Sequence, residues 1–222
     1  MTSIRTDIDS AAAERAQTFL DWTKINAKAL ATGAVIVLVA AAGYWFYLRQ
    51  QEIKSANAEK SLLSAKQSIA AGNQALAQSD LQKVFSQYGS TTAGVEAAML
   101  LAQMDYDAAK YQDGISLLQK AAGSSGASRN QTAILSLEGD GYMQMSKAGQ
   151  AAKAYQDAAT AALGDIERSY EQAKAARAYA TSGDTASARK IWAALSDDPK
   201  AATVAAEAKV RLGELTAAPA KK

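Results

Sequence analysis

Twenty consecutive positions from Ala29 to Leu48 carry no charge, with Lys28 and Arg49 as the nearest charges on either side. As a helix rising about 1.5 Å per residue, the run is roughly 30 Å long, which matches the hydrocarbon thickness of a bilayer. No second run of this kind follows. Downstream, apolar positions recur at helical spacing and are broken at short intervals by glycine-containing turns, so the pattern predicts one membrane-spanning helix and then a series of helical hairpins. Aromatic residues sit at both ends of the span, Trp22 before it and Tyr44, Trp45, Phe46 and Tyr47 at its end, where amphipathic rings favour the headgroup region.

A cleavable leader is the competing reading of this segment, because Ala40-Ala41-Ala42 has the small residues of a cleavage site. The segment before it is long, however, and its charges balance: Arg5, Arg15, Lys24 and Lys28 against Asp7, Asp9, Glu14 and Asp21. The aromatics after the alanines complete a full-length span, so an uncleaved anchor is expected. Lysine and arginine counts do not orient it. The head carries four, and Arg49, Lys54, Lys60 and Lys66 follow the span.

The downstream region repeats with a step of 37 residues. Ala77, Gly114, Ala151 and Ala188 form one column, and Leu81, Leu118, Tyr155 and Trp192 form the next. Val84, Ala121, Ala158 and Leu195 follow, and Ala65, Ala102, Gly139 and Ala176 precede the first column by twelve residues. A weaker column holds Ser68, Asp105, Tyr142 and Tyr179. Two antiparallel helices pack closely only where one offers a small residue and the other inserts a large one. Stacking such hairpins buries a core that no single hairpin could bury.

Small, then aromatic, then small residues in these columns resemble the tetratricopeptide signature, at a period slightly above its usual length of about 34. Gly72-Asn73, Gly149 and Gly183-Asp184 are expected inside hairpins. Tyr88-Gly89-Ser90, Gly123 to Gly126, Gly164-Asp165 and Asp197-Asp198-Pro199 are expected between them. The fold class is therefore all-α: a single transmembrane helix followed by an α-solenoid of about four hairpins. The organisation is a partly helical head over 1–28, the span over 29–48, a repeat domain over 49–215 whose first helix continues from the span, and a flexible tail over 216–222. Residues 201–215 would cap the array. In the head, Phe19, Trp22 and Ile25 are spaced for one face of an interfacial helix.

Composition narrows the chemistry. The chain has no cysteine and no histidine, which removes disulfides, thiol and His-based nucleophile systems and most transition-metal sites. Gly139-Asp140-Gly141 is too short for a phosphate loop, and the repeat explains it as helix. Asp197-Asp198-Pro199 is a turn and helix start rather than a metal site. The formal net charge is +2 with mixed signs, so nucleic-acid binding is not expected. No cofactor, metal or catalytic group is expected, and the chain is not expected to be an enzyme.

The order of parts carries a further resemblance. A balanced charged head with Phe19 and Trp22, the run from Lys28 to Tyr47, Tyr88 to Thr91 leading into a helix, the GQAAKAY stretch and SGDTASARKIW together resemble the YfgM-type ancillary subunit family of the bacterial SecYEG translocon. That resemblance covers about residues 10–215. It implies a single-pass protein of the bacterial inner membrane, with a cytoplasmic N-terminus and a periplasmic repeat domain. The implied partners are the translocon and a membrane-anchored periplasmic chaperone of the prolyl isomerase-like class, and the implied role is to help newly translocated proteins reach periplasmic chaperones. The alternative is an accessory structural subunit of another large membrane complex, with the span rather than the groove making the contact.

First helices line the binding groove of tetratricopeptide folds. Projecting groove positions onto this register selects Glu96, Met99, Gln103 and Tyr106 in the second repeat, Ser136, Asp140, Met143 and Gln144 in the third, and Tyr170 and Arg177 in the fourth. Met and Tyr side chains can repack around varied apolar segments. The competing reading places Met99 and Met143 in the core. In the span, Ala29, Gly33 and Gly43 offer small surfaces to a neighbouring helix.

Overall fold

The computed structural model describes residues 18, 22, 23 and 25–217. Phe19, most of the expected head and residues 218–222 of the expected tail lie outside the described residues. Among the described residues the chain is helical throughout, without a strand. The helices are α1 (Ala27–Ala70), α2 (Gln74–Tyr88), α3 (Thr92–Asp107), α4 (Tyr111–Ala122), α5 (Gln131–Gln144), α6 (Ala148–Ala161), α7 (Asp165–Ser182), α8 (Thr185–Asp197) and α9 (Ala202–Ala217). Single 3-10 turns at Ser125–Ala127 and Pro199–Ala201 precede α5 and α9.

The chain divides into two units, Met1–Ile53 and Lys54–Lys222. In the first, α1 contains an 18-residue window of mean hydropathy 1.9, none of it buried. Val35 to Val39 and Tyr44 to Leu48 are all exposed. This helix is long and apolar enough to cross a membrane.

The second unit is the repeat domain. The part of α1 from Lys54 onward pairs with α2, α3 with α4, α5 with α6 and α7 with α8, and α9 closes the series. From α2 onward each helix packs on the next in chain order, and α3 also touches α5 as α7 touches α9. The core runs along the stack as four buried clusters. Ala58, Leu62 and Ala65 of α1 meet Leu81 and Val84 of α2 and Ala93, Ala97 and Leu101 of α3. At the far end Ala173 and Ala176 of α7 meet Trp192 and Leu195 of α8 and Val204 and Ala208 of α9.

All four strong repeat columns lie inside. Leu81 and Leu118 are fully buried, Trp192 is 1 % exposed and Tyr155 4 %. Gly114 and Gly139, which stand in the small columns, are buried as well. The fit between columns is tight: a Cβ at Gly139 would lie 2.5 Å from Cε1 of Tyr155. Where the large column has Leu81 or Leu118, the small column carries Ala65 or Ala102, both fully buried. The bulkier Tyr155 faces glycine.

The turns inside the hairpins repeat as closely as the core. Gly72, Ala109, Ser146 and Gly183 stand 37 residues apart, and their φ angles are 74°, 59°, 58° and 88°. Each ends a first helix in the left-handed conformation that glycine adopts freely and alanine or serine adopts at a cost. In the first three, two hydrogen bonds close the helix. Asn73 N–H donates to Ser68 O and Gly72 N–H to Ile69 O, with the same pairs at Lys110/Asp105 and Ala109/Tyr106, and at Lys147/Tyr142 and Ser146/Met143. This is the Schellman closure. Gly149, expected in the third hairpin's turn, instead lies in the first turn of α6. The turn itself is Met145 to Lys147, because the left-handed residue holds a constant place in the repeat whatever its identity.

Side-chain caps start α2, α3 and α8. Asn73 accepts from Leu76 N–H, Thr91 from Gly94 N–H and Asp184 from Ser187 N–H. The equivalent residues before α4 and α6 are Lys110 and Lys147, which provide no such cap. Helix α9 runs to Ala217, two residues past the expected end of the capping helix.

Candidate protein-binding face

At each end of the array two consecutive first helices are tied to each other at the same 30-residue step. Lys66 of α1 pairs with Glu96 of α3 at 2.5 Å, and Arg177 of α7 pairs with Glu207 of α9 at 2.7 and 2.5 Å. Both pairs span 30 residues. Lys66, Gln103, Asp140 and Arg177 are one column at the 37-residue step, and Glu96, Ala133, Tyr170 and Glu207 are the column that faces it one repeat later. The ion pairs form at the two ends of the array, whereas Gln103 with Ala133 and Asp140 with Tyr170 leave the middle positions without one of that type.

Asp140 is held by a different arrangement. Its Oδ1 accepts from the Tyr155 hydroxyl at 2.6 Å and pairs with Lys174 Nζ at 2.7 Å. Lys174 also donates to Ser136 Oγ at 2.8 Å and lies 4.4 Å from the centre of the Tyr155 ring. Beside this knot Glu171 is 5 % exposed and its Oε2 has no hydrogen-bond partner. Burial pushes the Glu171 carboxyl above its ordinary range, against the opposing pull of Lys174 and Ser136. Burial also raises the Tyr155 hydroxyl, and the bond to Asp140 adds to it. At the far pair the hydrogen bond with Glu207 raises Arg177, and the same bond lowers Glu207.

The ten groove positions therefore divide by environment. Glu96, Asp140 and Arg177 are engaged in ion pairs, and Ser136 accepts from Lys174. Met99 and Met143 are half-buried and lean on the core clusters below them. Tyr106 is half-buried too: its hydroxyl donates to Leu137 O at 3.1 Å, and its ring fills the space left by Gly114 and Gly141. Burial raises its hydroxyl, with the carboxylates of Glu138 and Asp140 adding to the effect. Gln103 and Gln144 are exposed, and Tyr170 is 53 % exposed.

Tyr170 has apolar company that groove projection did not select. Ile166, four residues earlier on α7, is 66 % exposed, and Leu163, in the turn just ahead, is 89 % exposed. These large apolar side chains face water at one end of α7, and contiguous exposed apolar surface is a mark of a binding site. The spacing Leu-x-x-Ile-x-x-x-Tyr was available in the sequence, but Leu163 and Ile166 precede the groove positions of the tetratricopeptide register. Toward the C-terminal end of the same helix Arg177, Ala180, Thr181, Trp192, Arg211 and Leu215 line a cavity of about 250 Å³. Both of its arginines are already engaged, Arg177 by Glu207 and Arg211 by Glu214.

No curated protein matches this chain. The model of the tetratricopeptide repeat-like domain family matches residues 21–137. The match takes in the apolar helix and the first two hairpins, and α5 to α9 continue the same 37-residue register in the same burial pattern. Folds of this kind act as scaffolds for protein–protein interaction. With more than half of its length matched and the small–large columns buried as that fold requires, the chain belongs to the tetratricopeptide repeat-like domain family.

Proposed function

We propose that this protein is a membrane-anchored interaction scaffold of the bacterial inner membrane, associated with a SecYEG-type translocon and a periplasmic prolyl isomerase-like chaperone. In this reading the N-terminus is cytoplasmic, the span covers 29–48, and the repeat domain stands in the periplasm. It helps newly translocated proteins reach chaperones by holding protein segments on its first-helix face. The observation that carries the scaffold is the exposed apolar surface of Leu163, Ile166 and Tyr170 at the start of α7, in an array whose predicted charged groove residues Glu96, Asp140 and Arg177 are already paired with Lys66, Lys174 and Glu207. Such a face selects apolar side chains rather than charge. The translocon assignment rests on the resemblance in the order of parts.

Copurification of the tagged full-length protein in mild detergent, with partners identified by mass spectrometry, tests the reading. Translocon subunits and a periplasmic chaperone are expected, with recovery of the chaperone reduced by Tyr170→Ala and Ile166→Ser. A single unrelated membrane complex at fixed stoichiometry would replace the proposal with the accessory-subunit reading. Orientation has its own test, because the chain has no cysteine. A single Gln87→Cys in the exposed part of α2 should react with a membrane-impermeant maleimide on spheroplasts, and protection until lysis would reverse the topology.

A further inference from the structure

Beside the turn that joins the first hairpin to the second lies a cavity of about 490 Å³, larger than the one of about 250 Å³ at Trp192. Lys54 of α1 and Lys120 of α4 line it, together with Ser90, Ser124, Phe85 and Leu117. Hydroxyl and amide side chains supply the rest of its polar lining, and no aspartate or glutamate is among them. Lys54 Nζ donates to Ser90 Oγ at 2.7 Å, and Lys120 Nζ lies 5.5 Å from the centre of the Phe85 ring. Neither lysine has a carboxylate partner among the described residues. Elsewhere in the array Lys66 and Lys174 are matched by Glu96 and Asp140.

A second observation points to a ligand at the same place. The Ser124 hydroxyl is buried and has no hydrogen-bond partner. Such a group is costly to leave unmet, and native structures seldom do so without an ion, water or ligand beside it. The wall around it is fixed, because Ser125 Oγ donates to Ser90 O at 3.1 Å and so ties the two turns together. The sign of the cavity follows from its charges. Helices α2 and α4 both end at its edge, and a helix C-terminus carries about half a negative charge. Two ammonium groups outweigh two such ends by about one unit of charge. Lys120 stands in the last turn of α4, where a cation complements the helix end. That role does not extend to Lys54, which lies well inside α1.

Two ammonium groups and a free hydroxyl donor in one cavity suit a phosphate, whose oxygens accept several charge-assisted hydrogen bonds. Phe85 and Leu117, both half-buried, give it an apolar wall for the carbon groups that a phosphodiester carries. The chain also limits where this phosphate comes from. Lys54 stands six residues after Leu48, the last residue of the uncharged run. Six residues reach no further than roughly 20 Å even when fully extended, and headgroups occupy roughly the first 5–8 Å beyond the hydrocarbon. We propose that this cavity takes the phosphate headgroup of an anionic phospholipid from the membrane that residues 29–48 cross. It rests on the membrane-spanning part of the function proposed above and not on the translocon or the first-helix face.

The test is native mass spectrometry of the full-length protein released from detergent micelles doped with phosphatidylglycerol or with phosphatidylcholine. Retention of phosphatidylglycerol over phosphatidylcholine is expected, weakened about fivefold by Lys54→Gln and by Lys120→Gln. Lys60→Gln, an exposed lysine of the same helix, should bind as the parent does. Ser124→Ala should weaken retention without lowering the melting midpoint, since its hydroxyl has no partner to lose. Equal retention of the two lipids, or equal retention of phosphatidylglycerol by the parent and both lysine variants, would overturn the proposal. Displacement of the lipid by an equal concentration of inorganic phosphate or of a hexaglutamate peptide would assign the cavity to a soluble anion and overturn the lipid. Carbonate extraction of membranes separates this outcome from a failure of the span: a protein that stays in the membrane without lipid preference refutes the site alone, whereas one that washes off refutes the anchor and the site with it.

Discussion

Replacing Ala109 by glycine should stabilise the protein, although it removes a methyl group and places the poorest non-proline helix former at a helix end. Ala109 has φ 59° and is exposed, so its side chain buries nothing that glycine would forfeit. A left-handed conformation costs an L-residue about 1–2 kcal/mol. Glycine relieves that cost and adds roughly 0.5–1 kcal/mol of unfolded-chain entropy against folding. The net gain is about 0.5–1 kcal/mol, or ~1–4 °C in melting midpoint for a domain of this size. Ser146→Gly, with φ 58°, should give the same, and the two should add because helices α4 and α5 lie between them. The reverse change, Gly183→Ala at φ 88°, should lose a similar amount. Far-UV circular dichroism of full-length protein in detergent, melted by heat and by urea, reads the three single variants and the Ala109→Gly/Ser146→Gly double variant. If Ala109→Gly and Ser146→Gly are neutral or destabilising while Gly183→Ala is also neutral, the turn column does not limit stability and the reasoning fails.

Other outcomes follow from the same geometry. Gly139→Ala should cost about 1–3 kcal/mol by overpacking against Tyr155, and adding Tyr155→Leu should cost less than the sum of the two single changes, read as a double-mutant cycle of urea midpoints. Glu171→Gln should raise the melting midpoint at pH 7–8 by relieving a buried, unpartnered carboxylate oxygen worth roughly 1 kcal/mol. Because the folded-state value of Glu171 is raised, the parent recovers stability as pH falls through that value, and the advantage of Glu171→Gln should shrink toward pH 4.5. Glu207→Gln has the opposite profile: Glu207 is lowered by Arg177, so its contribution of about 1 kcal/mol is present above its ordinary range and fades as pH falls through the depressed value. A loss that is flat with pH would mean that shape rather than charge holds α9 to α7.

Much of the architecture was visible because it is written in local spacing. Uncharged length defines a spanning helix without reference to anything else. The columns at 65, 77, 81 and 84 repeat because every hairpin solves the same packing problem, and all of them lie in the core. The turn column shows where the signal thinned. Gly72 and Gly183 announce a left-handed residue, whereas Ala109 and Ser146 do not, and the nearest glycine to the third turn, Gly149, lies three residues beyond it. The 37-residue step from Gly72 would have located it, since backbone conformation persisted in the repeat after the glycine had been replaced.

The groove residues could be placed on first helices from register, but their state could not. Whether Glu96, Asp140 and Arg177 offer charge to a partner depends on Lys66, Lys174 and Glu207, which lie 30 to 34 residues away and meet them only when neighbouring hairpins stack. The same applies to Leu163 and Ile166, ordinary apolar residues in sequence. Periodicity along one chain specifies which faces are apolar and how helices pair, because both depend on residues a few turns apart. Which side chains remain available is decided by contacts across the stack, where each hairpin either covers its neighbour's surface or leaves it open.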